Sequence, residues 1–432
     1  MMKLTNLKII IPLFFLIFFG SKLLAQDELN QPNLRFYLSE DKSSYAGAVF
    51  VNQIWTRYIW NNPDALGNDM GGDFDVAIRR SRAIFYTYLF DKVFMYTMLG
   101  SDGHSFKLQG NPAVSLYNAQ TEYIFVKEKF HLGFGLTTWN GLSRYNNCKL
   151  LEYLVVDNPV FAFPVAGRHD KFGRQLGIYA KGTISKLHYR ASVAKPFRYG
   201  VNENDQIQKV TERLNSNLAL KGYFSWQFLD KEGTLMPYMT MNNLGRQRIF
   251  NVGGGFYYHP EAMVQKTVDG IDYPDIFLFA VDAFLDIPLT NGAALTSYLA
   301  FNNYNFGENY IRSAGAINVS LANPNSALAQ GIGNSEWEVG TGQIIRGEFG
   351  YLLPGNGMKN RFQPYGAFSW KNFEALNEAS VQFDAGINWL MNSHNLKWTL
   401  QYSSRPIYTA VDGNSKWTES KGQFLLQTQI YF

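Results

Sequence analysis

The sequence predicts an all-β chain, a transmembrane antiparallel β-barrel of about sixteen strands with one long loop folding inward. Three observations lead there. Aromatic residues make up 16% of the chain, and its 38 glycines are spread over the whole length. No stretch after Gly20 comes near the roughly 18 consecutive apolar residues that mark a membrane helix. From Ala46 onward, runs of period-two alternation are separated by breaks rich in Gly, Asn, Asp and Pro, the pattern of strands and turns.

The chain opens with Lys3 and Lys8, an apolar run from Ile9 to Gly20, and Leu23-Leu24-Ala25 before polar Gln26-Asp27-Glu28. A basic start, a short apolar stretch and a small residue before a polar switch are the parts of an export signal. The stretch is interrupted by Pro12 and is too short to cross a bilayer, which takes roughly 20 residues. Residues 1–25 are therefore expected to be a signal peptide, 26–45 a polar periplasmic lead-in without pattern, and 46–432 the barrel. Removing Lys3, Lys8 and Lys22 leaves 36 basic against 35 acidic residues, a balance of +1. No basic surface for nucleic acid follows from that balance. Cys148 is the lone cysteine, so no internal disulfide is possible, and it lies too far from the leader to carry an N-terminal lipid.

Sixteen runs alternate: 46–60, 74–89, 92–99, 118–127, 130–139, 174–182, 186–196, 214–228, 247–258, 275–286, 293–303, 339–352, 361–371, 379–391, 395–407 and 421–432. The clearest sets Val381, Phe383, Ala385, Ile387 and Trp389 against Gln382, Asp384, Gly386 and Asn388. After Asn392-Ser393-His394 the next sets Leu396, Trp398, Leu400 and Tyr402 against Lys397, Thr399, Gln401 and Ser403. Together they read as a hairpin with one oily face. Breaks after even-numbered runs are mostly short; those after odd-numbered runs, such as 61–73, 100–117, 140–173, 304–338 and 408–420, are mostly long. A membrane barrel sorts its connections this way, with tight periplasmic turns and longer outer loops. A soluble sandwich has no reason to. The break at 229–246 violates the parity, which asks for a short turn there. Closure is required by backbone chemistry, since hydrocarbon offers no partner to a free strand edge. The last run, Phe424, Leu426, Thr428, Ile430 and Phe432, ends the chain on an aromatic and resembles the insertion signal of outer-membrane barrels.

Oily faces must meet lipid, because Arg or Lys at the bilayer midplane costs roughly 2–4 kcal/mol. The opposite faces then line the lumen: Lys181 and Arg190 from neighbouring strands, Arg346 with Glu348, and Lys397 with Arg405. In Arg79-Arg80-Ser81-Arg82 the parity conflicts, since Val76, Ile78, Ile84 and Tyr86 share it with Arg80 and Arg82. The energetic cost points Arg80 and Arg82 inward. The 140–173 break carries Leu150-Leu151, Val160-Phe161 and Phe163-Pro164. A long loop with apolar residues packs and commonly has a function, so it is expected to fold into the barrel. It would narrow the pore with Arg144, Lys149, Arg168 and Lys171 against Glu152, Asp157 and Asp170.

Several segments together resemble the phosphate-selective porin O and P family in its Bacteroidota form. They are Arg79-Arg80-Ser81-Arg82 with Leu89-Phe90-Asp91-Lys92, and Gly167-Arg168-His169-Asp170 leading to Gln175-Leu176-Gly177. Phe250-Asn251-Val252-Gly253 and Gly386-Ile387-Asn388-Trp389 through Tyr402-Ser403 complete them. The resemblance implies a sixteen-stranded trimeric barrel in the outer membrane of a Gram-negative cell, passing small hydrophilic solutes or ions. Its phosphate selectivity transfers poorly: the 140–173 loop has a net charge of only +1, and 304–338 is acidic through Glu308, Glu336 and Glu338. Slight anion preference is the most these charges support.

No G-x-S-x-G, H-E-x-x-H, P-loop or G-x-G-x-x-G motif occurs. His104, His131, His169, His188, His259 and His394 have no ligand spacing, so neither metal nor cofactor is expected, and no enzyme activity. The competing readings are an outer-membrane hydrolase whose catalytic set is spread over several strands, and a soluble periplasmic β-protein that binds glycans. Partners are outer-membrane lipid and two further copies of the chain.

Overall fold

The structure, a computed structural model, describes residues 34–64, 66–107, 113–138, 140–170, 173–197, 210–213, 215–315, 317, 331–411 and 414–432. The signal-peptide expectation falls outside them. Sixteen long strands form the wall. The first eight are β1 (Tyr45–Trp60), β2 (Gly72–Leu89), β3 (Val93–Ser105), β4 (Ser115–Val126), β5 (Phe130–Thr137), β6 (Gln175–Ile184), β7 (Leu187–Lys195) and β8 (Ala219–Gln227). The rest are β9 (Ile249–His259), β10 (Ile276–Pro288), β11 (Ala294–Asn305), β12 (Gly342–Leu352), β13 (Arg361–Phe373), β14 (Ser380–His394), β15 (Leu396–Val411) and β16 (Asn414–Tyr431). Each pairs antiparallel with the next, and β16 returns to β1 with Val51 opposite Tyr431 and Ile59 opposite Gln423. The barrel is closed and has no free edge.

The burial pattern is inverted relative to a soluble protein. Gln53, Arg57, Asp75, Glu122, Arg190, Asp282, Arg346, Lys371 and Gln427 are buried inside. Ile54, Phe85, Ile178, Val281, Leu299, Phe349, Phe383, Leu400 and Ile430 are exposed outside. Such an outer surface would associate in water but suits hydrocarbon, where the paired backbone leaves no polar group unmet. Ring pairs girdle the belt at both ends. At the end holding the C-terminus are Phe125–Phe130 at 5.3 Å, Phe228–Phe250 at 5.1 Å and Trp389–Trp398 at 5.5 Å. At the other end are Tyr58–Trp60 at 5.1 Å and Tyr402–Phe424 at 5.0 Å. Amphipathic rings collect at membrane interfaces, so the chain is a membrane-spanning barrel. That fold leaves no room for the soluble periplasmic reading.

Differences from the sequence expectation have local causes. The parity conflict in β2 is resolved by a β-bulge: Gln53 pairs Arg80 while Ile54 pairs Ile78, so Arg79 is the extra residue. Val76 and Ile78 therefore face out, and Arg80, Arg82, Ile84 and Tyr86 face in. The 408–420 break is not a loop. β15 and β16 run on to Val411 opposite Asn414, with a register shift between Ile407 and Tyr408. The shift breaks the alternation, and a hairpin tip beyond the bilayer needs no oily face. β3 likewise continues to Ser105. Within the lead-in, Leu34–Tyr37 forms a short strand on β1, Leu34 opposite Ala48. The long 229–246 break is real. It contains no missed strand; residues 228–248 turn into the lumen.

Candidate functional site

The lumen is the site, and two segments from opposite mouths build it. The first is the loop between β5 and β6. It enters where glycine allows backbone to lie on backbone: a Cβ on Gly255 would sit 2.2 Å from the Gly222 carbonyl oxygen and 2.6 Å from that of Leu142. The Leu142 N–H donates to the Gly222 carbonyl at 3.0 Å. A short 3-10 turn, Arg144–Asn147, follows. Its Arg144 backbone N–H donates to Asp282 at 2.6 Å, its guanidinium lies 3.9 Å from the Phe284 ring centre, and it pairs with Glu232 at 2.9 and 2.5 Å.

The loop then crosses to the opposite wall, held chiefly by strand side chains that satisfy its backbone. Gln429 donates to the Leu151 carbonyl at 3.1 Å, Lys397 to Tyr153 at 3.1 Å and Asn388 to Leu154 at 2.8 Å. The Val156 N–H donates to Gln401 at 3.0 Å. Asp157 is clamped by Arg79 and Arg80 at 2.6 Å each. Burial alone would raise its carboxyl, but the two guanidiniums outweigh burial and hold it below the ordinary carboxylate range. On the way back the Tyr304 hydroxyl donates to the Phe161 carbonyl at 2.8 Å, and Arg312 donates to Pro164 at 2.9 Å and Ala166 at 3.0 Å.

The second segment is the 228–248 turn, from the end that holds the C-terminus. Cations of the wall and of the first loop clasp its carbonyl oxygens: Lys181 those of Leu235 at 2.8 Å and Met236 at 3.3 Å, Arg190 that of Pro237, and loop Arg144 that of Thr240 at 2.7 Å. The Tyr238 hydroxyl donates to Asn118 at 2.9 Å and accepts from Arg174 at 3.3 Å. Further on, the N–H groups of Asn243 and Gly245 donate to Asp286 at 2.9 and 2.8 Å. The two segments meet in a parallel β-bridge between Cys148 and Met239, with Met239 N–H to Asn147 at 2.7 Å and Lys149 N–H to Met239 at 2.8 Å.

The residues singled out from the sequence are thus distributed as follows. Arg80, Arg82, Lys181, Arg190, Arg346 and Lys397 are all buried on the lumenal side. They do not form one cluster. Arg80 serves Asp157, Arg82 pairs with Asp102 and lies 3.6 Å from the Tyr117 ring centre, and Lys181 also pairs with Glu122 at 2.8 Å. Arg346 is shared between Glu348 at 2.8 Å and Asp384 at 3.1 Å. Of the loop cations, Arg144 is the central joint, Lys149 pairs with Glu152 at 3.3 Å, and Arg168 reaches Glu212 at 3.6 Å near the outer mouth. Lys171 lies outside the described residues.

Beside the loop, a cavity of about 90 Å³ is lined by Asp157, Glu336, Glu338, Arg346, Asp384, Gln401 and Arg405, among others. Lys371 sits 3.6 Å from Glu336 and 3.4 Å from Glu338. Arg405 donates to Asn62 at 3.0 Å and to the Gly333 carbonyl at 3.0 Å. Charges here are matched locally, and amides fill the gaps. Sequence reasoning missed the Glu336/Glu338/Lys371 group and the inserted turn. The signals were the Glu-x-Glu spacing, the Gly253-Gly254-Gly255 run that admits the loop, and the overlong break itself.

No protein-family model matches the chain, and no curated protein does. Among solved structures, "OprB" of Pseudomonas putida at high pH is similar at 8% identity and TM-score 0.54, over 91% of this chain and 95% of that one. The outer membrane channel DcaP of Acinetobacter baumannii is similar at 13% identity and TM-score 0.50, over 91% and 99%. Salmonella typhi OmpF, in complex with daunomycin, is similar at 11% identity and TM-score 0.50, over 92% and 100%. At these identities the likeness is one of fold, and it spans nearly the whole described barrel.

Proposed function

We propose that the chain is an outer-membrane porin through which small hydrophilic solutes diffuse passively, and that it is not an enzyme. The observation that carries this reading is the closed barrel itself: sixteen strands with an apolar belt outside, a polar lumen inside, and an inward loop beside a polar cavity. A lumen of this kind suits hydrated solutes better than an apolar ligand. The motif resemblance to the phosphate-selective O and P family belongs to the same reading, without its phosphate selectivity. The loop cations Arg144 and Lys149 and the wall cations Lys181 and Arg346 already have carboxylate partners, so weak charge selectivity with slight anion preference is expected. We further propose a homotrimer, with outer-membrane lipid covering the remaining belt.

Single-channel recording in a planar bilayer tests this directly. The purified barrel is expected to give ohmic steps and a near-zero reversal potential in a salt gradient. A folded, heat-modifiable barrel that gives no steps would refute the diffusion reading.

A further inference from the structure

The connections at the end holding the C-terminus differ in charge around the rim. Those at 289–293 and 392–395 carry no Lys, Arg, Asp or Glu, and in Phe90-Asp91-Lys92 the two charges cancel. The arc from β4 to β9 is built otherwise. There the connections 127–129 and 185–186 and the base of 228–248 leave Lys127, Lys129, Lys186, Lys231 and Arg248 exposed, against Glu128 and Asp230. Arg248 pairs with Asp230 at 3.3 Å, and Glu232, next to Lys231, turns inward to Arg144. Four lysines therefore face one glutamate.

These connections form one patch. The Thr183 N–H donates to the Glu128 carbonyl at 2.7 Å, and the Gln227 N–H to that of Lys186 at 2.8 Å. The Lys186 ammonium donates to the Phe228 carbonyl at 3.0 Å. Next towards the membrane centre stand the ring pairs Phe125–Phe130 and Phe228–Phe250. Beyond the rings, Leu132, Phe134, Leu176, Ile178, Val193 and Phe224 are exposed on the outer face. From β5 to β10 that face carries no Ser, Thr, Asn or Gln.

We propose that this arc is a docking site for an anionic phospholipid of the leaflet on the C-terminal side. Its acyl chains lie on the apolar face of β5–β8, and its phosphate sits among Lys127, Lys129, Lys186 and Lys231. This rests on the reading above that lipid covers the belt. Lysines beside a membrane attract anionic headgroups over about a Debye length, and phosphate oxygens accept charge-assisted bonds from several ammonium groups. A zwitterionic headgroup brings its own cation into the same cluster, so the patch discriminates against it.

The test is native mass spectrometry of the purified barrel in detergent, titrated with phosphatidylglycerol or with phosphatidylcholine of the same chains. Phosphatidylglycerol is expected to bind roughly tenfold tighter, with the gap closing as salt rises. Lys127→Gln, Lys129→Gln, Lys186→Gln and Lys231→Gln together should abolish the preference while the heat-modifiable barrel persists, since all four positions are exposed. Lys42→Gln with Lys359→Gln, on the same rim outside the arc, should leave it. Equal or absent retention of the two lipids overturns the proposal. So does a preference that survives the quadruple substitution or that the control pair also removes. Glycerol 3-phosphate, the headgroup charge without chains, should not be retained; retention as tight as the lipid's overturns the lipid assignment. An unmodified barrel that stays dispersed without detergent refutes the lipid-covered belt instead.

Discussion

The two sides of the lumen solve the same problem by different chemistry. Both line a low-dielectric wall with cations that need partners. Around the cavity the partners are carboxylates, on strands or on an outer segment: Glu348 and Asp384 for Arg346, Glu336 and Glu338 for Lys371. On the β6–β7 side, carbonyl oxygens of the turn from Leu235 to Thr240 share the work with Glu122 on Lys181 and Glu232 on Arg144. The difference teaches where selectivity can change. A carboxylate on a strand is removed by one substitution, whereas a carbonyl oxygen survives any side-chain change that leaves the turn's backbone in place.

The joint of the two sides is Arg144, and removing it should have the largest effect. Arg144→Ala strips partners from Glu232 and breaks the hold on Thr240. Breaking a buried pair by deleting one member costs roughly 3–5 kcal/mol. The temperature at which the folded form converts on a denaturing gel should fall markedly, and an unchanged transition would show that the joint carries little.

Gly255→Val should follow, because its side chain would collide with two backbone carbonyls, those of Gly222 and Leu142, rather than with a flexible side chain. Overpacking of this kind costs roughly 1–3 kcal/mol. The loop should then become cleavable within 140–173 by protease added from outside while the barrel remains intact. Continued resistance would mean the entry point tolerates a Cβ.

Asp384→Asn should have a smaller effect on stability, since Glu348 still holds Arg346 at 2.8 Å. The expected result is an anion-directed reversal potential with little change in melting, and equal losses in both would merge the two roles. The smallest effect is that of pH on the Asp157 clamp. Its carboxyl lies below the ordinary 3.8 in the folded barrel, so the stabilisation is present above that value and is lost only as pH falls through the depressed one. The clamp's share of heat resistance should therefore hold steady from neutral pH down to 3.8 and be lost only in stronger acid. A step near pH 6 would assign the transition to another group.

Much of the wall was legible in the sequence because lipid imposes the alternation: every predicted strand lies on an observed one, and Phe383, Ile387 and Leu400 face out as expected. The legibility fails where that constraint lapses. In the β15–β16 hairpin the register shift between Ile407 and Tyr408 breaks the period. At Arg79 a single extra residue reverses the faces of all that follows. In the lumen, the cations were found but their partners were not, because carbonyl oxygens leave no mark in a side-chain pattern. The length of 229–246 announced an anomaly, without its destination.

The bridge between Cys148 and Met239 ties the lumen's filling to the register of the wall. The two residues are far apart in sequence and arrive from opposite mouths, and contacts of large sequence separation carry a loop-closure cost that slows folding. β6, β7 and β8 lie between them, so the pairing of these strands sets the distance that residues 147–149 must span to meet residue 239. A slip of one residue pair there would carry Lys181 and Arg190 past the carbonyls they clasp. The register of the wall and the filling of the lumen are thus one specification: the barrel's interior fits only the pairing seen here.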